Sequence, residues 1–134
     1  MRSKILVGGL LLTGIVAAGV FKPPAVHANP ALKWAAVHLP EPTLIAGSFA
    51  QGPVIFEHDD DRMARGEPCT MVYRFQPGKG PREAIVAFHC KPKWGETIDK
   101  FALSTGRDGL GNCVLREYQF AGDVESHGVP TTSQ

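Results

Sequence analysis

The sequence predicts a mainly β protein, a small antiparallel meander of five to six strands closed as a barrel or sandwich and preceded by an N-terminal apolar helix, signal or anchor. Three observations lead there. Fifteen glycines and eleven prolines are spread along 134 residues, which interrupts long helices and favours short strands with tight turns. Between Cys69 and Cys90, two runs of alternating apolar and polar residues flank a loop rich in glycine and proline. Before Asn29 there is no acidic residue at all.

The leader comes first in the chain. Met1-Arg2-Ser3-Lys4 is basic, Ile5 to Phe21 are 17 uncharged residues, and Val26-His27-Ala28 offers small residues where a signal peptidase cuts before Asn29. Seventeen residues sit at the lower edge of what crosses a hydrocarbon core roughly 30 Å thick. Pro23-Pro24 would end a membrane helix cleanly, whereas Gly8, Gly9, Gly14 and Gly19 weaken it. Either outcome places the rest outside the cytoplasm: a cleaved signal gives a periplasmic or extracellular protein, and an uncleaved one gives membrane contact through residues 5–21. Residues 1–28 are therefore expected as export signal or membrane anchor, 29–42 as a short helix or proline-containing linker, 43–122 as the β-rich domain and 123–134 as a polar tail.

About 106 residues follow Ala28, enough for one domain. Three of the 14 basic residues (Arg2, Lys4, Lys22) lie in the leader and all 13 acidic ones lie beyond it, so the exported part has 11 basic against 13 acidic residues, a formal charge of −2. Nucleic acid binding by phosphate neutralisation is excluded on that balance.

Asn29-Pro30 could cap a short helix through His38, and Leu39-Pro40-Glu41-Pro42 reads as an extended connector. Thr43 to Phe49 and Val54 to His58 read as strands around the turn Ala50-Gln51-Gly52-Pro53. Thr70 to Phe75 and Ala84 to His89 form a hairpin with an eight-residue loop. Symmetric closure pairs Phe75 with Ala84, Tyr73 with Val86, Met71 with Phe88 and Cys69 with Cys90. That register buries Cys69, Met71, Tyr73, Phe75, Val86, Phe88 and Cys90 on one face. A second hairpin is expected from Ile98–Leu103 and Cys113–Phe120 around a loop with three glycines.

The cysteines carry the first chemical expectation. In an oxidising compartment Cys69 and Cys90, opposite each other in the hairpin, should form a disulfide, and Cys113 is left as a free thiol or buried small hydrophobe. His58 and His89 are the candidate metal ligands, for copper or zinc, although no Cys-x-x-Cys or His-x-x-x-His spacing supports them. Asp59-Asp60-Asp61 reads as the cap of a one-turn helix ended by Gly66, ahead of calcium binding or a hydrolase's carboxylates. No nucleophile elbow or phosphate-binding loop is present, so the sequence does not point to an enzyme. The expectation is an exported, non-catalytic binding or accessory subunit, without cofactor and with a protein partner such as a membrane complex. The alternative is a small metal-binding or redox protein using His58, His89 or Cys113.

Overall fold

A two-residue turn and a proline-containing bulge organise the first half of the chain. In the computed structural model, which describes residues 31–133, strand β1 (Leu32–Ile45) returns as β2 (Ser48–Asp59) through Ala46-Gly47. Both turn residues have positive φ, 47° and 88°, the conformation that matches the twist of a tight hairpin. Pairing runs from Leu32↔Asp59 to Leu39↔Gly52 and resumes at Thr43↔Ala50, so β1 holds two extra residues in a bulge at Pro40, Glu41 and Pro42. Prolines have no N–H to donate, and a bulge is where a ladder tolerates them. Two extra residues preserve the alternation of faces, which is why Leu39, Thr43 and Ile45 are all buried on the same side.

Residues 32–42, expected as helix or linker, are therefore most of a strand. The proline pair marks an irregularity in pairing, where the sequence suggested an end to structure. The N-terminal leader, with its apolar run and expected helix, lies outside the described residues. Among those described, no helix is long and apolar enough to cross a membrane.

Helix α1 (Asp60–Ala64) follows β2, capped by the Asp59 carboxylate, which accepts from the N–H groups of Asp61 at 2.9 Å and Arg62 at 3.2 Å. Gly66, at φ 74°, ends it as expected. Strands β3 (Thr70–Gln76) and β4 (Gly80–Phe88) complete a four-stranded antiparallel meander.

The hairpin register differs from the symmetric one. Thr70, not Met71, faces Phe88, and the ladder shifts again on both sides of Tyr73. The connection is only Pro77 to Lys79, so the strands run further than the glycines and prolines suggested, and the eight-residue symmetry has no basis. A shift of one exchanges the faces of β3: Thr70 and Val72 are buried, and Met71, Tyr73 and Phe75 are half-buried. Val86 and Phe88 face the core as expected.

Strand β5 (Lys91–Trp94) follows β4 after two intervening residues and pairs with β8 (Glu125–Gly128). Between them in sequence, β6 (Ala102–Arg107) and β7 (Cys113–Gln119) form the second hairpin. One edge of β7 meets β1 in parallel at Thr43↔Cys113, then β8 at Glu117↔Gly128. The result is one eight-stranded sheet in the order β4-β3-β2-β1-β7-β8-β5, with β6 on the other edge of β7. The expected count of five to six strands and the simple meander are thus both corrected. Residues 125–128, expected in a tail, form a strand too short to show a period.

This order forces the sheet to curl. β4 and β5 stand at opposite ends of it, yet only His89 and Cys90 separate them in the chain. Three peptide steps reach at most about 11 Å, whereas six strand spacings in a flat sheet would be roughly 29 Å. The two halves accordingly face each other as a half-barrel, and the core fills the space between them. Phe56 of β2 meets Tyr118 of β7 at a ring separation of 5.3 Å and Phe101 at 5.6 Å, with Ile45, Val54, Phe88 and Leu115 also buried in the same cluster.

Phe56 is fully buried between the halves, and Phe49 is 55% exposed on the same strand. Phe56→Ala should cost about 3–5 kcal/mol in denaturant unfolding, and Phe49→Ala less than about 1 kcal/mol. Equal costs would contradict the inward face assigned to β2.

Candidate functional site

The curl brings four polar side chains from distant parts of the sequence to the place where its two ends meet. His58 leaves β2 on the inward face, opposite Thr70 of β3. Cys69 immediately precedes β3, Cys90 lies in the crossing from β4 to β5, and His127 lies on β8 opposite Tyr118. All are buried: His58 is 0%, Cys69 1%, Cys90 9% and His127 1% exposed.

The sulfurs of Cys69 and Cys90 are 3.0 Å apart, and the Cys90 N–H donates to Cys69 Sγ at 3.3 Å. That is about 1 Å longer than an S–S bond, so the expected disulfide is not formed here and both cysteines are free. Cys90 Sγ also lies 3.5 Å from His127 Nδ1 and 3.8 Å from His58 Nδ1. Ligand atoms of His58, Cys69 and Cys90 all fall within 4.8 Å of one another.

The ring of His58 is oriented from behind. Its Nε2 lies 2.9 Å from Asp60 Oδ1, so with the proton on Nε2 it donates to the carboxylate and leaves the Nδ1 lone pair facing the sulfurs. Within the aspartate run the roles divide: Asp59 caps α1, as the sequence suggested, and Asp60 holds His58, which it did not. On the other side, Tyr118 OH lies 3.4 Å from His58 Nδ1 and is hydrogen-bonded to Thr70 Oγ1. The His127 ring stacks on Tyr118 at 4.8 Å and stands 4.2 Å from the His58 ring.

The electrostatics follow from this packing. The hydrogen bond from Cys90 is the main reason that Cys69 is held well below the usual thiol range, with burial opposing and His58 assisting. The same bond pushes Cys90 up, reinforced by burial and by the charge on Cys69. The pair thus holds one thiolate and one thiol. Burial would lower His58, but its bonds to Cys69 and Asp60 outweigh that and raise it. His127 has no such compensation: burial first, then the positive charges of His58 and Lys33, bring it down to about 4. Burial likewise pushes the Tyr118 phenol up, so it stays protonated.

A thiolate, a second thiol and two imidazoles in a dry pocket form the donor set of a soft or borderline cation. His58 is thus placed in the cluster that the sequence suggested, but with the cysteines and not with His89. His89 is half-buried in the crossing and is not among the converging ligands. Cys113 is buried at the start of β7, paired with Thr43 and Arg107, and stands apart from the site. Asp60, Tyr118 and His127 were missed. The curl alone makes Tyr118 and His127 neighbours of the cluster, whereas Asp60 lies only two residues from His58 and reads in the sequence as part of the capping run.

Comparison with protein families, with curated proteins and with solved structures gives no match for this chain.

Opposite pH limbs follow for the reduced, metal-free protein. The raised His58 contributes stability that is present below its unfolded value near 6.5 and is lost as pH rises through the higher folded value. The lowered His127 contributes stability that is present above 6.5 and is lost as pH falls towards about 4. Unfolding measured from pH 4 to 8.5 should show His127→Phe flattening the acid limb relative to wild type and His58→Phe flattening the alkaline limb. Identical slopes in all three proteins would contradict the assigned environments.

Proposed function

We propose that this is a small exported β-domain that holds a soft or borderline metal ion, zinc(II) or copper(I), at His58, Cys69 and Cys90. The single observation that carries the reading is the convergence of these three buried ligands from three parts of the sheet. Zinc bound tetrahedrally by sulfur at about 2.3 Å and nitrogen at about 2.05 Å separates S and N by about 3.6 Å and two sulfurs by about 3.8 Å. The 3.8 Å between Cys90 Sγ and His58 Nδ1 is already close to this, and the sulfurs need to part by less than 1 Å from 3.0 Å. The carboxylate behind His58 is the usual support of a metal-bound imidazole. Binding would draw off the remaining thiol proton, so affinity should rise with pH.

The signal-like leader supports export, and an oxidising compartment favours a second state of the same residues. Two free sulfurs at 3.0 Å need little motion to bond, so an oxidant of the thiol–disulfide type would convert the thiolate and thiol into the Cys69–Cys90 disulfide, taking from them two electrons and the one remaining thiol proton. The metal and the disulfide exclude each other. The accessory-subunit reading has less support: Trp34, Phe49, Trp94 and Leu110 are exposed apolar residues of the kind any surface carries.

Reduced protein stripped with chelator should bind one zinc ion, with thermal unfolding shifted by about 4 kcal/mol at a thousandfold excess over Kd. Cys69→Ser and Cys90→Ser should each weaken binding by roughly 100-fold or more, and Cys113→Ser should leave it unchanged. Calorimetric titration distinguishes these outcomes, and equal binding by all four proteins would remove the proposed site.

A further inference from the structure

Three converging ligands leave a tetrahedral ion one position short, and the buried groups around the site show what fills it. His127 is 1% exposed, and its Nδ1 lies 3.5 Å from Cys90 Sγ, close to the roughly 3.6 Å separation of S and N ligands on one zinc ion. Its Nε2 is buried with no hydrogen-bond partner, as is Oε1 of Glu125, two residues earlier. Nδ1 has the Cys90 sulfur at 3.5 Å and a Glu125 oxygen at 3.6 Å beside it, so a neutral ring protonated at Nε2 leaves the Nδ1 lone pair without a strong donor. Stacking on Tyr118 fixes the ring plane, and Tyr118 is itself tied to Thr70. The ring therefore cannot turn freely away from the sulfur.

We infer that His127 is the fourth ligand, through Nδ1, of a closed Cys2His2 site made with His58, Cys69 and Cys90; this rests on the metal-binding reading above. The competing donor is Glu125, whose Oε1 lies 3.6 Å from His127 Nδ1. The Glu125 side chain is partly open to solvent, 20% exposed, whereas His127 is 1% exposed and sets its Nδ1 3.5 Å from Cys90 Sγ. Two thiolates and two neutral imidazoles balance a dication without further charge. A Glu125 ligand would instead leave a net negative site in a dry interior.

The inference changes what the site can do. Four protein ligands leave no open position for water or substrate, so the ion acts as a structural centre or a held cargo and not as a Lewis acid. It would also join β2, the entrance to β3, the β4–β5 crossing and β8, thus both halves of the curled sheet.

Cobalt(II) titration of reduced, chelator-stripped protein tests both levels. Wild type should show thiolate-to-cobalt charge transfer and the intense d–d bands of a tetrahedral ion. His127→Ala should keep the charge transfer, bind roughly 100-fold more weakly, and lose d–d intensity until imidazole is added. Glu125→Gln should resemble wild type. If wild type lacks the charge-transfer band, the metal reading falls and this inference falls with it. If His127→Ala matches wild type, or if Glu125→Gln shows the loss expected of His127→Ala, only the fourth ligand is overturned. X-ray absorption of zinc-loaded wild type removes dependence on the variants folding: two sulfurs and two imidazoles support the assignment, and two sulfurs with a single imidazole refute it.

Discussion

His89 and Cys90 carry the chain from one end of an eight-stranded sheet to the other, and the interior is arranged around that short crossing. Three peptide steps cannot bridge the width of a flat sheet, so the sheet has to bend until its ends approach. The bend creates the core, because it sets Phe56 of the first half against Tyr118 and Phe101 of the second. It also creates a difficulty. Where the ends meet, no ladder links β4 to β5, and the closure is completed by side chains.

Those side chains are polar. His58, Cys69, Cys90 and His127 occupy positions that apolar residues would fill at lower desolvation cost, and a buried polar cluster left partly unsatisfied is worse than none. Two buried atoms here, His127 Nε2 and Glu125 Oε1, lack hydrogen-bond partners. A chain that needed only stability at this point would do better with valine or phenylalanine. The cluster makes physical sense when a cation binds the two sulfurs: it replaces the shared proton of the thiol pair and takes the lone pairs of the ring nitrogens that face them. The same proximity makes the pair oxidisable, so the redox state of the compartment would decide which form is populated.

The β character, the helix capped by Asp59 and the presence of two later hairpins were legible in the sequence, because alternation and turn residues are local signals. The strand expected at Ile98–Leu103 runs Ala102–Arg107, however, and the first turn falls at Ala46-Gly47 and not at Ala50 to Pro53. Pro40 and Pro42 misled because they too are local signals. Locally they exclude a regular strand, and only the partner strand reveals the bulge that accommodates them. The register of β3 against β4 was misjudged because loop length was inferred from glycine and proline content, and a shift of one exchanged the faces of Met71 and Val72. His58 was recognisable as a candidate by residue type. His127 was not, since Glu125 to Gly128 is too short to show a period and gains its environment from β5 and β7.

The central claim is that a metal ion belongs where the sheet's two ends meet. Anomalous diffraction at the zinc edge, from crystals of the reduced protein grown with one equivalent of zinc, tests it most directly. The expected result is a single peak about 2.3 Å from both Cys69 Sγ and Cys90 Sγ and about 2 Å from His58 Nδ1. Zinc held only by surface residues such as His38, with the two sulfurs still in contact and no peak between them, would contradict it.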